Sequence, residues 1–174
     1  MPGFAPFGRA SKPLALVVGI VFVLIVAWVV IASLVPSDRE ESFYSSLAEA
    51  DKHGAITRGW IPDDLLPRSS RDIHEIHDLS PSAEWCAFQF DTTDAQKLIK
   101  NLRPVDVLPA SMRHVPSPHA SWWPSFLVGN LDTEAIHEAG FDLFAVERPV
   151  TASTTAVWLF AIDSSKGRAF FYTR

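Results

Sequence analysis

The 174-residue chain has a single cysteine, Cys86, so no intrachain disulfide is available and stability in an oxidising space has to come from burial. Cys86 sits between Trp85 and Ala87 in an apolar run and reads as a small core residue. There is no Asn-x-Ser/Thr sequon, which excludes N-glycosylation, and no lipobox cysteine near the amino terminus. Gly-x-Ser-x-Gly and phosphate-cradling glycine loops are also missing, so acyl-hydrolase and nucleotide-binding readings lack their motifs. No internal repeat with a period of about 20–50 residues occurs, which excludes solenoids and propellers. Basic residues are scarce. Beyond Arg9 and Lys12, the chain from Pro36 onward carries 13 basic against 20 acidic residues, a net charge of −7. A nucleic-acid or anionic-lipid surface would require clustered Lys and Arg, so neither partner is expected.

What is present begins with Leu14–Val35, 22 residues without a charge. As a helix rising about 1.5 Å per residue, this run spans roughly 33 Å, enough for one bilayer crossing. It is longer than the apolar core of a cleaved signal peptide, about 7–15 residues, and Ala32-Ser33-Leu34-Val35-Pro36 is a poor cleavage site. Arg9 and Lys12 precede it, and Asp38, Glu40 and Glu41 follow it among the next charges. By the positive-inside bias, the expectation is a retained signal anchor in the cell (inner) membrane, with the amino terminus cytosolic and the remainder extracytoplasmic. The expected organisation is a short cytosolic N-terminus (1–13), a transmembrane helix (14–35), a membrane-proximal helix and linker (36–57) and one extracytoplasmic domain (58–174). The 139 residues from Pro36 onward suffice for one hydrophobic core.

Phe43, Leu47 and Ala50 recur at helical spacing, which predicts an amphipathic helix from Asp38 to His53 ended by Gly54. Arg71–Leu79 and Glu84–Asp91 read as strands, the second apolar on both faces. A helix is predicted where Ala95, Leu98, Ile99 and Leu102 share a side, with N-cap chemistry from Asp91-Thr92-Thr93-Asp94 and a stop at Pro104. Five prolines between Pro104 and Pro124 make regular structure improbable there. Asp132 or Thr133 caps a short helix running to Ala139, with Gly140 at its end. Phe141–Glu147, Thr155–Asp163 and Arg168–Thr173 read as strands, the last two joined into a hairpin by Asp163-Ser164-Ser165-Lys166-Gly167. The expected class is α+β, an antiparallel sheet with helices packed on one side.

His74-Glu75-Ile76-His77-Asp78 is the densest group of potential metal ligands. On a helix His74 and His77 would share a face and could bind a metal with Asp78, but on a strand they would point apart. The run is one residue short of His-Glu-x-x-His. A metal-dependent hydrolase using His74 and His77, with Glu75 or Asp78 as base, is therefore an alternative reading, set against histidines in ordinary hydrogen bonds. Asp63, Asp64, Asp72, Glu75 and Asp78 around Trp60 could form a carbohydrate or cation site. Carboxylates in such loops are more simply solvated turn residues. Trp122-Trp123-Pro124 is the candidate recognition element, since adjacent loop tryptophans offer a rigid contact surface. The plainer role for them is to cover an open sheet face. No catalytic residue and no cofactor are indicated.

Arg58-Gly59-Trp60-Ile61-Pro62, then Leu66-Pro67-Arg68-Ser69-Ser70-Arg71-Asp72-Ile73-His74-Glu75 and His77-Asp78-Leu79, leading into Glu84-Trp85 and Phe88, resembles a segment that recurs in small uncharacterised bacterial membrane-anchored or exported proteins. The resemblance implies a bacterial envelope setting and a single structural unit from Trp60 to Asp78; it implies no activity. Together these features predict a non-enzymatic envelope interaction domain, tethered to the lipid bilayer through residues 14–35, that contacts another envelope protein through Trp122, Trp123 and Trp60. An accessory subunit of a membrane complex is a further alternative.

Overall fold

The computed structural model describes residues 39–79, 83–108, 110–149 and 155–174, together with the helical positions Val17, Gly19, Val21, Phe22, Ile25 and Val26. Met1–Ser37 and Asp38–Arg174 are two separate units. The expected span Leu14–Val35 lies largely outside the described residues, and no helix among them is long and apolar enough to cross a membrane. Residues 80–82, Pro109 and the stretch from 150 to 154 also lie outside.

The second unit begins with strand β1 (Arg39–Ser46), helix α1 (Leu47–Lys52), β2 (Arg71–Asp78) and β3 (Ala83–Gln89). A 3₁₀ turn (Thr92–Asp94) leads into α2 (Ala95–Ile99), followed by the two-residue strands β4 (Arg103–Pro104), β5 (His114–Val115) and β6 (Gly129–Asn130). Helix α3 (Thr133–Glu138) and strands β7 (Asp142–Pro149), β8 (Thr155–Asp163) and β9 (Arg168–Thr173) complete it. Seven strands form one antiparallel sheet in the order β1-β2-β3-β9-β8-β7-β4, while β5 and β6 pair separately. The α+β antiparallel class is therefore as expected.

Two expectations are corrected. The helix expected from Asp38 to His53 is strand from Arg39 to Ser46. The 3.6-residue spacing of Phe43, Leu47 and Ala50 is outweighed by ladder pairing of β1 with β2, and Tyr44 is buried while Phe43 is exposed. Helix starts only where Ser46 accepts the Glu49 N–H and the Glu49 carboxylate turns back onto the Ser45 N–H at 2.6 Å. The helices are also not confined to one side. Ala50 of α1, Leu65, Leu66 and Leu98 of α2 cover one face, against Ile73, Cys86, Phe160 and Phe171. Ile136 of α3 and the Pro-rich connection, through Met112, Val115, Trp123 and Leu127, cover the other, against Ile76, Trp85, Leu159 and Tyr172. A sheet whose central strands are apolar on both faces needs both faces covered.

Helix α3 matches its sequence signals: Asp132 accepts the Glu134 and Ala135 N–H groups, and Gly140 ends it at φ 87°. The β8–β9 hairpin is as expected, closed by Asp163 accepting from Ser165 Oγ and the Lys166 N–H. Asp91 leaves its expected capping role to pair with Arg71 at 2.9 Å.

Candidate functional site: a buried acid and imidazole cluster

Register places the chemistry. Directly opposed residues of antiparallel strands point to the same face, so the pairings Glu40↔His77 and His77↔Glu84 set three titratable groups in a row across β1, β2 and β3. The neighbouring row is Ser42, Glu75 and Cys86. Both rows lie on the face covered by α1 and the segment from 54 to 66, and they form a polar end to an otherwise apolar layer.

Glu75 has no solvent exposure, and His77 is 4% exposed. Glu75 Oε1 lies 2.9 Å from His77 Nδ1, while its Oε2 has no hydrogen-bond partner. Glu84 Oε2 is likewise buried and unpartnered. Burial, reinforced by Glu84 and Glu40 nearby, pushes the Glu75 carboxyl up to about 8, and burial alone pushes Glu84 up to about 8. Burial also lowers His77, against the opposing pull of Glu40. The raised Glu75 and lowered His77 favour neutral groups, and with both neutral the carboxyl O–H donates to Nδ1 while Nε2 carries the ring proton. The Cys86 thiol, wholly buried beside both carboxyls, is pushed far up by burial first and those carboxyls second, and it is inert as a nucleophile.

The cluster reaches the surface beside Glu40. His77 Nε2 is 3.7 Å from Glu40 Oε2, and the Glu40 side chain is 63% exposed. Glu40, Ser42, Tyr44, His53, Arg58 and Trp60 line a surface cleft of about 230 Å³ there. The Trp60 indole lies flat on the His77 ring, centroids 3.7 Å apart, and the Arg58 guanidinium is 4.6 Å from the Trp60 ring centroid. With His77 and Arg58 stacked against the indole, Trp60 offers no open aromatic platform for a sugar. Among the acidic residues expected around it, Asp64 pairs with Arg148 and Glu75 is interior.

The remaining candidates fall elsewhere. His74 points to the opposite face from His77, as its i, i+3 position on a strand requires, and packs between Phe43 at 4.8 Å and Trp122 at 5.5 Å. Among the described residues no group of three His, Cys, Asp or Glu is arranged to hold a metal, with His74, His77 and Asp78 included. Trp122 is half-buried and donates its indole N–H to Glu41 Oε1 at 2.8 Å. Trp123 is buried in the core, with its N–H on the Leu127 carbonyl. Sequence reasoning missed Glu84 and Glu40, which only the register joins to His77. Their one local signal was a charge opening each strand, and that is common on solvated edges.

A family model described as the YbbD head domain matches residues 38–89. That range holds β1 through β3 and all of Glu40, Arg58, Trp60, Glu75, His77 and Glu84, and it excludes Trp122 and Trp123. No curated protein matches the chain, and no solved structure does.

Proposed function

We propose that this chain is a non-catalytic recognition domain of a bacterial envelope, held at the membrane by residues 14–35, that binds an extended segment of another envelope protein along β1. The observation that carries the reading is the edge position of β1: among the described residues it pairs with β2 on one side only, so backbone groups of its central residues, Glu40 to Tyr44, face outward for an added strand. Phe43, 55% exposed on this edge strand, heads the stack that continues through His74 to Trp122. That stack supplies an aromatic surface beside the edge, with Trp122 in the recognition role and Trp123 edge-on behind it, while Trp60 belongs to the opposite face. Glu40 and Glu41, together with the net acidic character of the chain, favour a partner segment bearing Lys or Arg. The tether rests on the uncharged apolar run from Leu14 to Val35 in the sequence.

Site-specific photocrosslinking in intact cells tests this. A photoreactive phenylalanine analogue at position 43 should give a discrete adduct in the membrane fraction, and one at the still more exposed Val107 should not. Equal labelling from both positions, or none from 43, would overturn the reading.

A further inference from the structure

We propose that Glu75, Glu84 and His77 form a proton-holding site, filled and emptied through Glu40, whose occupancy keeps the Trp60 segment seated on the sheet. Glu75 is wholly buried and has one oxygen without any partner; Glu84 on the next strand is half-buried as a residue, but its Oε2 is also buried and unpartnered. An ionised carboxylate in that position would leave its charge uncompensated, whereas a protonated one needs only the hydrogen bond to His77 that the structure shows. Two such carboxyls facing one pocket oppose joint ionisation further.

Among the described residues, the groups around this site lead from His77 to Glu40. On β1 they are Glu40 and Ser42, on β2 His77 and Asp78, on β3 Glu84 and Cys86, and from the covering segment Arg58 behind Trp60. Among the described residues of this set the only cation, Arg58, lies against the Trp60 ring, and on β9 the residue opposite Glu84 is the neutral Thr173. On release, the Glu75 O–H proton passes to His77 Nδ1 while the Nε2 proton leaves to the Glu40 carboxylate and then to water. The imidazole ends in its other tautomer, and the net change is one proton in solution and one buried carboxylate. That carboxylate draws water inward past His77, and Trp60, which is stacked on the same ring, is the group displaced.

Infrared difference titration of the full chain in detergent micelles reads the site directly. The folded wild type should retain a protonated-carboxyl C=O band at pH 7 and lose it as the pH rises further. The band should be diminished in Glu75→Gln and in Glu84→Gln and absent from the double variant. Glu40→Gln should keep the band but lose it several-fold more slowly after a pH jump. Amide hydrogen exchange should quicken at residues 55–66 above the transition in the wild type and not in the double variant. A folded wild type with no such band at pH 7, a double variant that retains it, or exchange at 55–66 indifferent to the transition would overturn the proposal. The wild-type band keeps the test decisive even where a Gln variant folds poorly.

Discussion

Trp122 donates its indole N–H to the Glu41 carboxylate at 2.8 Å, tying the Pro-rich connection on one face of the sheet to edge strand β1 across 81 positions of sequence. The same indole stacks on His74, so a single side chain joins the connection to β1 and β2.

Trp122→Phe keeps the stacking and removes the donor. The loss should be about 0.5–1.5 kcal/mol of unfolding free energy, the usual net value of one hydrogen bond, with Glu41→Ala non-additive with it. Urea unfolding of the two single variants and the double variant measures the coupling, and strict additivity would mean that the bond does not hold the connection.

Gly167 sits at φ 61° in the β8–β9 turn, and a Cβ there would lie 2.1 Å from the Phe90 carbonyl oxygen. That carbonyl belongs to backbone whose N–H already donates to Gly167 O at 2.8 Å, so it cannot move aside. Gly167→Ala should cost about 2–4 kcal/mol, combining left-handed strain with a backbone clash. Gly140→Ala, at φ 87° with nothing nearby, should cost only about 1 kcal/mol. Equal thermal shifts for the two variants would contradict the close approach.

Asp163 is buried at the foot of the same turn. Burial raises its carboxyl, but hydrogen bonds from Ser165, Arg168 and the Lys166 N–H outweigh that and hold it at about 2, below its ordinary 3.8. A depressed folded-state value means stabilisation that is present above 3.8 and lost as the pH falls towards 2. The stability gap between wild type and Asp163→Ala should therefore be widest near neutral pH and shrink below pH 4, as equilibrium unfolding at several pH values would show.

Glu84 runs the other way. Its folded-state value, raised by burial from 4.5 to about 8, means that stability is fully present below pH 4.5 and declines as the pH rises to about 8. Glu84→Gln cannot ionise and should flatten that decline, becoming more stable than the wild type at pH 8 relative to pH 4. A decline of unchanged steepness would place the responsible group elsewhere.

Much of the sheet was legible because its signals are local. Val157–Ile162 and Trp85–Phe90 are β-rich apolar runs, Asp163–Gly167 is a turn by composition, and Asp132 with Gly140 brackets a helix. β1 was not legible, because Phe43, Leu47 and Ala50 satisfy a helical period as well as a strand and only pairing with β2 separates the two. Both sheet faces were visible as apolar, and tryptophans in the Pro-rich connection pointed to a cover for one of them, yet nothing local showed which face it is or that Met112, Val115 and Leu127 join in.

By itself the sequence determined the class of the domain, the positions of most strands, the buried character of Cys86 and the apolar run at Leu14–Val35, since each depends on side-chain period or composition within a few residues. The tertiary structure alone decided that His74 and His77 serve opposite faces and that Glu40, His77 and Glu84 stand in one row with Glu75 beside them. Period 2 dictates which residues of a strand share a face, but which strands become neighbours, and in what register, is set by burial across the whole chain.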